Sequence, residues 1–396
     1  MYVSTCESSP WFTRWMPRRP STSGEVLRLI REECVDTRTE LCRVTGLSRP
    51  AVTARVTELI QRGLVVERAD GPSTGGRPPA RLAFNAAGGA VLVASLGHTH
   101  GHIAVCDLAG EILLQAPTDL TAGRGAETVL PALLDRWTEL LAKIGLDACA
   151  VRGVGVGIPG TVEFAAGRAE SSVATPYWGG VEIAPLVTGR FPVPVYLDND
   201  VNVMALGEHR AGTAAGDLLF VKLSTGIGAG VIAGGRLQRG ALGAAGEIGH
   251  IPVLDSAGVR CRCGNLGCVE AVAGGVALLE RSGCADLAEL VRRAQSGDPT
   301  VVMVVREAGR RIGEVIASAV NLLNPAVVVL GGDLAGAYEP LIAGVREVVY
   351  QRATALATRQ LRIEPSRLGD AAGLLGCATL ALDHILAPEA VDATYA

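Results

Sequence analysis

Gly246-Glu247-Ile248-Gly249-His250, followed ten residues later by Cys261-Arg262-Cys263-Gly264-Asn265-Leu266-Gly267-Cys268-Val269-Glu270, is the stretch on which the reading of this chain turns. One imidazole and three thiols fall within about twenty residues, and the Cys-x-Cys-x4-Cys loop carries glycines where a chain must wrap around a small ion. Buried reduced cysteines of a cytosolic core would account for neither the glycines nor the crowding. His250, Cys261, Cys263 and Cys268 are therefore the candidate ligands of a Cys3His zinc site. With four protein ligands no position is left open for water, so the metal is expected to build structure. Glu247 and Glu270 flank the ligands and place two carboxylates beside an imidazole whose second nitrogen can donate a hydrogen bond. Such a set suits sugar hydroxyls.

Upstream, apolar residues recur at Val26, Leu27, Leu29 and Ile30, at Leu41 and Val44, and at Val52, Val56, Leu59 and Ile60, which predicts three short helices. Between the second and third lies Thr45-Gly46-Leu47-Ser48: Gly46 supplies the turn, Ser48 is a good N-cap, and Pro50 is tolerated in the first helical turn. This is a helix-turn-helix. Gly63 ends the third helix, Leu64 to Arg68 and Arg81 to Asn85 read as strands, and Asp70-Gly71 turns between them, adding a wing. A three-helix interaction module shares the helical pattern. The third helix, however, is expected to expose Arg49, Thr53, Arg55 and Arg62, and the wing carries Gly75-Gly76-Arg77-Pro78-Pro79. Arg49, Thr53 and Arg55 are the candidate major-groove contacts, and Arg77 the minor-groove contact.

At 396 residues the chain has room for two or three domains. Charge is uneven along it. Residues 1 to 20 carry Arg14, Arg18 and Arg19 against Glu7, net +2, and residues 21 to 85 carry ten Arg against eight acids, again +2; since the whole is −4, residues 86 to 396 sum to −8. The basic bias sits with the helix-turn-helix, where a nucleic-acid partner is plausible. Ten cysteines without a recognisable secretory signal point to a reducing, cytoplasmic setting, and no apolar run is long enough to span a membrane. Residues 1 to 20, with Trp11, Phe12 and Trp15 among prolines, fit no period and are expected to be either a disordered extension or an artefact of a start codon assigned too early.

After Asn85, β-rich runs (Ala90 to Ser95, Gly101 to Asp107, Glu111 to Leu114) alternate with helical stretches such as Val129 to Lys143, an α/β pattern. Val151 to Gly160 and Leu218 to Gly230 read as strands running into glycine turns, a weak signal alone. Asp198-Asn199-Asp200 precedes a helical run from Val201 to Arg210, and the residues by themselves favour an N-cap role for the aspartate.

The combination of GEIGH, CRCGNLGCVE and the later Asn324-Pro325-Ala-Val-Val-Val-Leu330-Gly331-Gly332 is similar to the ROK family of bacterial sugar kinases and sugar-responsive transcriptional repressors. The resemblance runs from about residue 24 to the end, and Ser23 to Asn85 looks like the amino-terminal domain of the family's repressors. It implies an actin-like ATPase fold of two α/β lobes around a cleft. It also implies that Asn199 holds a sugar, that Asp200 stands at the general-base position, and that Gly160, Glu247, His250 and Glu270 supply the remaining sugar contacts. Where family kinases have Asp-x-Gly-Gly-Thr at the first phosphate motif, this chain has Ser95-Leu96-Gly97-His98-Thr99: an anionic partner for magnesium is gone, and a ring stands where only hydrogen fitted. The second motif, Ser224-Thr225-Gly226-Ile227-Gly228, stays close to the family pattern, and Gly331-Gly332 matches the adenosine-side turn. The nucleotide set Gly97, Thr99, Thr225, Gly226, Gly228, Gly331 and Gly332 is thus degenerate at one end, and ATP with magnesium is not expected as a cofactor.

The expected protein is a ROK-type regulator, with a winged helix over 21–85 for operator DNA and a zinc-braced, kinase-like sensor over 86–396 for a sugar or sugar phosphate. A homodimer or homotetramer follows from the resemblance, since one helix-turn-helix makes too few contacts for tight specific binding. An active or bifunctional sugar kinase is the alternative.

Overall fold

The computed structural model describes residues 22–68, 81–98, 100–170, 178–212 and 216–393. The extension at 1–20, the tip of the wing with Arg77, and Thr99 lie outside the described residues. The chain divides into two compact units: one takes the residues up to Gly88 together with those from Leu386 onward, the other runs Gly89–Ile385.

In the first unit, α1 (Ser23–Glu32) opens on a capping box. Thr22 Oγ1 accepts the Glu25 N–H at 3.2 Å while Glu25 Oε2 accepts the Thr22 N–H at 2.9 Å. The apolar positions read from sequence, Val26, Leu27, Leu29 and Ile30, are buried, and Leu41, Val52, Val56 and Leu59 join them from α2 (Arg38–Thr45) and α3 (Arg49–Gln61). Gly46 ends α2 at φ 73°, and Ser48 caps α3 with Pro50 in its first turn. β1 (Val65–Arg68) and β2 (Arg81–Phe84) pair antiparallel, with Val65 opposite Phe84 and Arg68 opposite Arg81, and form the base of the wing.

The second unit contains two sheets built to one plan. β3 (Ala90–Leu96), β4 (Gly101–Asp107) and β5 (Ile112–Thr118) form an antiparallel meander. α4 (Ala126–Lys143) then crosses to β6 (Val151–Ile158), parallel to β3, and β9 (Val195–Asn199) lies parallel beyond it; the short β7 (Val162–Glu163), β8 (Arg168–Ala169) and α5 (Ile183–Thr188) intervene. Following α6 (Asp200–Arg210), the pattern recurs. β10 (Leu218–Leu223), β11 (Ile227–Ala233) and β12 (Arg236–Leu237) form a meander, α7 (Val269–Ala273), α8 (Gly275–Ser282), α9 (Leu287–Gln295) and α10 (Pro299–Leu323) cross over, and β13 (Val327–Gly331) pairs parallel with β10. Past α11 (Tyr338–Arg352) and α12 (Ala355–Thr358), β14 (Arg362–Pro365) completes the second sheet. Val327, Val328, Val329 and Leu330 are fully buried, as a central parallel strand covered on both faces requires, and each such side chain contributes about 2 kcal/mol by burial.

α6 begins where β9 ends and packs on β10, β11 and α13 (Ala371–Ile385). The two helix backbones touch: a Cβ on Gly376 would lie 1.6 Å from the Val203 carbonyl oxygen. α6 therefore cannot shift without α13.

The structure corrects the expected boundaries. The last helix, α14 (Pro388–Ala393), belongs to the first unit rather than to the sensor. Gly24 N–H donates to Asp392 Oδ1 at 2.9 Å, and Arg62 Nη1 donates to the Val391 carbonyl at 2.7 Å. Arg62, expected to be exposed for DNA, is thus engaged by α14. β5 also runs to Thr118, with Pro117 tolerated because this is an edge strand. α4 starts earlier than Val129, with Gly125 at its N-cap.

Candidate ligand-binding site

The turns that follow β6, β9 and β10 converge at the carboxyl ends of these strands, the place where α/β sheets accept ligands. A cavity of about 340 Å³ lies there. Gly160, Asn199, Asp200, Glu247, His250 and Glu270, the whole set expected to contact a sugar, line it. The register explains part of this: Ile158 pairs with Asn199, which brings the Pro159-Gly160 turn beside the start of α6. Asn199, and not an aspartate, is the N-cap. Its Oδ1 accepts from Val201 N–H and Asn202 N–H at 2.9 and 3.2 Å, and its Nδ2 donates to the Gly160 carbonyl at 2.8 Å. Asp198 is buried, bonded to the Asn199 N–H and Asn202 Nδ2 on one oxygen and to Arg239 Nε on the other. It supports the turn and leaves Asp200 facing the cavity.

Asp200 does not stand alone. Lys222 Nζ donates to its Oδ2 at 2.5 Å, from a point on β10 where the register sets Lys222 between Gly228 and Gly331. Glu270 is engaged as well: Arg262 Nε and Nη2 donate to its two oxygens at 2.7 and 3.1 Å, and Ile227 N–H donates to Oε2 at 2.9 Å. Glu247 accepts from Thr161 Oγ1 at 3.3 Å, and its Oε2 lies 3.8 Å from His250 Nε2. The other ring nitrogen, Nδ1, faces Cys261 Sγ at 3.6 Å. His250 thus bridges the thiols and the cavity.

His250, Cys261, Cys263 and Cys268 offer ligand atoms that all lie within 4.8 Å of one another, a group that could hold a metal ion. Burial and the neighbouring thiols push Cys268 up to about 12, and burial raises Cys261, whereas the Asn265 backbone lowers Cys263. Thiols so crowded give up their protons most readily to a cation.

A second cavity of about 270 Å³ adjoins the first and shares His98, Asp200, Lys222, Ser224 and Thr225 with it. Ser95, Gly97, His100, His102, Asp333 and Gly332 also line it. Of the expected nucleotide set, Gly97 and Gly332 line this cavity, Gly226 and Gly228 line the first and Thr225 lines both, while Gly331 lines neither: its Cβ would meet the Phe220 ring. Ser224 donates to Asp333. His98 borders both cavities, and burial lowers its pKa, aided by the cations Lys222 and Arg262 and opposed by the carboxylates Asp200 and Glu270. The shift favours the neutral ring.

Of the residues expected to contact DNA, Arg49 and Thr53 are exposed on α3 and Arg55 is half-buried. Lys222, Arg262 and Asp198 were not named as site residues from sequence. Two of them carry a signal in the sequence, Lys222 as one of only two lysines in an arginine-rich chain and Arg262 as the residue framed by two of the clustered cysteines; Asp198 carries none.

The profile of the ROK family matches residues 92–384. This chain belongs to the ROK family. A MarR-family profile matches residues 25–73, the helix-turn-helix and the start of the wing. The ROK chain is 31% identical over 385 residues to the xylose repressor of Caldicellulosiruptor bescii, an alignment covering 92% of this chain and 96% of that protein. It is 28% identical over 365 residues to the DNA-binding transcriptional dual regulator NagC of Escherichia coli, covering 87% and 88%. Among solved structures, a ROK family transcriptional regulator described as a homologue of the E. coli MLC protein superposes at TM-score 0.79 with 26% identity over 94% of this chain and 98% of that one. A ROK family glucokinase from Streptomyces griseus, in complex with glucose and AMPPNP, superposes at 0.62 with 28% identity over 74% of this chain and 99% of its own.

Proposed function

We propose that this ROK protein is a sugar-responsive transcriptional repressor, in which α3 and the wing bind operator DNA and the cavity around Asn199, Asp200, Glu247, His250 and Glu270 takes the sugar. One observation carries the reading: the alignment with a repressor runs through both units, covering 92% of the chain, whereas the glucokinase covers 74%. Operator DNA and a sugar effector follow as partners, and the place of action is the cytoplasm, where the chromosome is. Among the described residues no helix is long and apolar enough to cross a membrane.

The metal is zinc, held by His250, Cys261, Cys263 and Cys268. A tetrahedron with zinc–sulfur bonds of about 2.3 Å has sulfur–sulfur edges of roughly 3.75 Å, and Cys263 Sγ lies 3.7 Å from Cys268 Sγ. Four protein ligands make the ion structural: it supplies cross-linking of the 250–268 loop and no reactive water. Sugar binding shifts a population between two spacings of paired winged helices in a homodimer, which is how one ligand per sensor can release DNA.

An active kinase is the competing reading. Against it stand Ser95 in place of the first-motif aspartate and the Lys222 ammonium on Asp200, since a base must be free to take a proton. The test of both is fluorescence anisotropy of the full chain on its own upstream DNA at fixed salt, titrated with D-xylose, D-glucose, N-acetyl-D-glucosamine and their phosphates, with and without ATP. Specific binding released by one sugar without ATP is the expected result. No specific binding, with phosphate release from ATP that Asp200→Asn abolishes, would replace the repressor with a kinase.

A further inference from the structure

Arg262 stands between two thiols of the metal cluster, yet its side chain leaves the cluster for the ligand cavity. There it forks onto both oxygens of Glu270, whose side chain is 8% exposed, while Ile227 N–H adds a third contact. Room is reserved for the pair. A Cβ on Gly226 would sit 2.6 Å from Glu270 Oε2 and 2.9 Å from Arg262 Nη2, so the glycine assigned by resemblance to a phosphate motif here serves the Arg–Glu pair. The hairpin that carries Arg262 is closed by Cys261 N–H to the Asn265 carbonyl at 2.8 Å and Gly264 N–H to the Cys261 carbonyl at 3.0 Å.

We propose that Arg262 is a positioning residue of the ligand cavity, one that fixes the orientation of Glu270 and ties it to the gathering of Cys261 and Cys263. The inference rests on the reading of this cavity as the sugar site. A carboxylate this buried is costly without a cation beside it. A planar guanidinium bound through two nitrogens compensates the charge and also stops rotation about the last carboxylate torsion, which a lysine ammonium would leave free. With three of its roughly four acceptor positions filled, Glu270 has about one left for a ligand hydroxyl, in a fixed direction. Because the backbone on either side of Arg262 belongs to the cluster, that direction is set by whether the four ligands are held together.

The test uses the full chain as wild type, Arg262→Ala and Arg262→Lys. Three quantities are read: bound zinc by elemental analysis, hydrogen exchange at the Ile227 amide, and calorimetric affinity for D-xylose, D-glucose and N-acetyl-D-glucosamine. Arg262→Ala is expected to keep its zinc, to exchange Ile227 about tenfold faster, and to bind the sugar that wild type binds about tenfold or more weakly, with Arg262→Lys recovering part of the affinity. The effect on affinity should be non-additive with Glu270→Gln. Chelation of the wild type should reproduce the faster Ile227 exchange. Unchanged Ile227 exchange in Arg262→Ala would overturn the positioning role, and unchanged exchange on chelation would overturn the tie to the cluster. If wild type binds none of the sugars, the sensor reading fails, and Ile227 exchange still decides the role of Arg262.

Discussion

Lys222 Nζ donates to Asp200 Oδ2 at 2.5 Å, across a cavity wall where the Asp200 side chain is 7% exposed. The residue that would take a proton in a kinase is here the buried half of an ion pair whose lysine is 19% exposed. Removing the lysine strands a carboxylate in a poorly solvated place, so Lys222→Ala is expected to cost about 3 kcal/mol of stability. Lys222→Ala combined with Asp200→Asn should recover much of the loss. Thermal unfolding of the three variants reads the coupling, and additive losses would mean that the pair is not formed in solution.

His98 gives a pH dependence with a defined sign. Burial, the largest cause, holds its folded pKa below the ordinary 6.5, so on acidification the unfolded chain takes up the proton first. Stability from this residue is full above 6.5 and falls as pH drops below it toward the folded value. Denaturant unfolding at pH 7.5 and 5.5 should show a loss at the lower pH that is smaller in His98→Gln. An equal loss in both proteins would place the acid sensitivity elsewhere.

The proposed metal site at His250, Cys261, Cys263 and Cys268 predicts a stoichiometry and a local collapse. One zinc per chain is expected by elemental analysis. Cys263→Ser should lose it, together with protection from hydrogen exchange across 251–268, because the ligands cross-link a segment with little other regular structure. Retention of full metal by that variant would count against the Cys3His set.

The DNA surface is tested through salt. Arg49→Ala and Arg55→Ala should each weaken operator binding and lower the slope of log affinity against log salt by about 1 wherever the lost contact is to phosphate. A contact to a base would instead relax sequence preference at one position. Unchanged affinity in both variants would remove α3 as the reading helix.

The Cys/His cluster and the helix-turn-helix were legible because each is local, the one a close spacing of His250, Cys261, Cys263 and Cys268 and the other a Gly46 turn beside a Ser48 cap; short motifs likewise named the residues that line one cavity. What escaped the sequence are the relationships between distant residues. Lys222 reaches Asp200 only because β10 and the start of α6 meet. Arg262 finds Glu270 because the loop doubles back over Gly226. The N-cap went to Asn199 rather than to an aspartate because Asp198 is held by Arg239 and Asn202, a pairing no local pattern shows. α14 joined the first unit through hydrogen bonds from Gly24 and Arg62, which lie more than three hundred residues away in sequence.

That last contact can be broken from either side. Gly24 lies in the first turn of α1, and a Cβ there would come within 2.2 Å of the Pro388 carbonyl oxygen and 2.5 Å of its Cα, backbone atoms with no rotamer to yield. Gly24→Ala is therefore expected to push α14 away and to destabilise the first unit by about 2 kcal/mol, although alanine is the better helix former. Asp392→Ala removes one hydrogen bond to the Gly24 amide and should cost about 1 kcal/mol. Hydrogen exchange over 388–393 and over α1 separates the two ideas: both segments should lose protection together in Gly24→Ala. Loss in α14 alone would show that the winged helix holds its shape without the C-terminal helix.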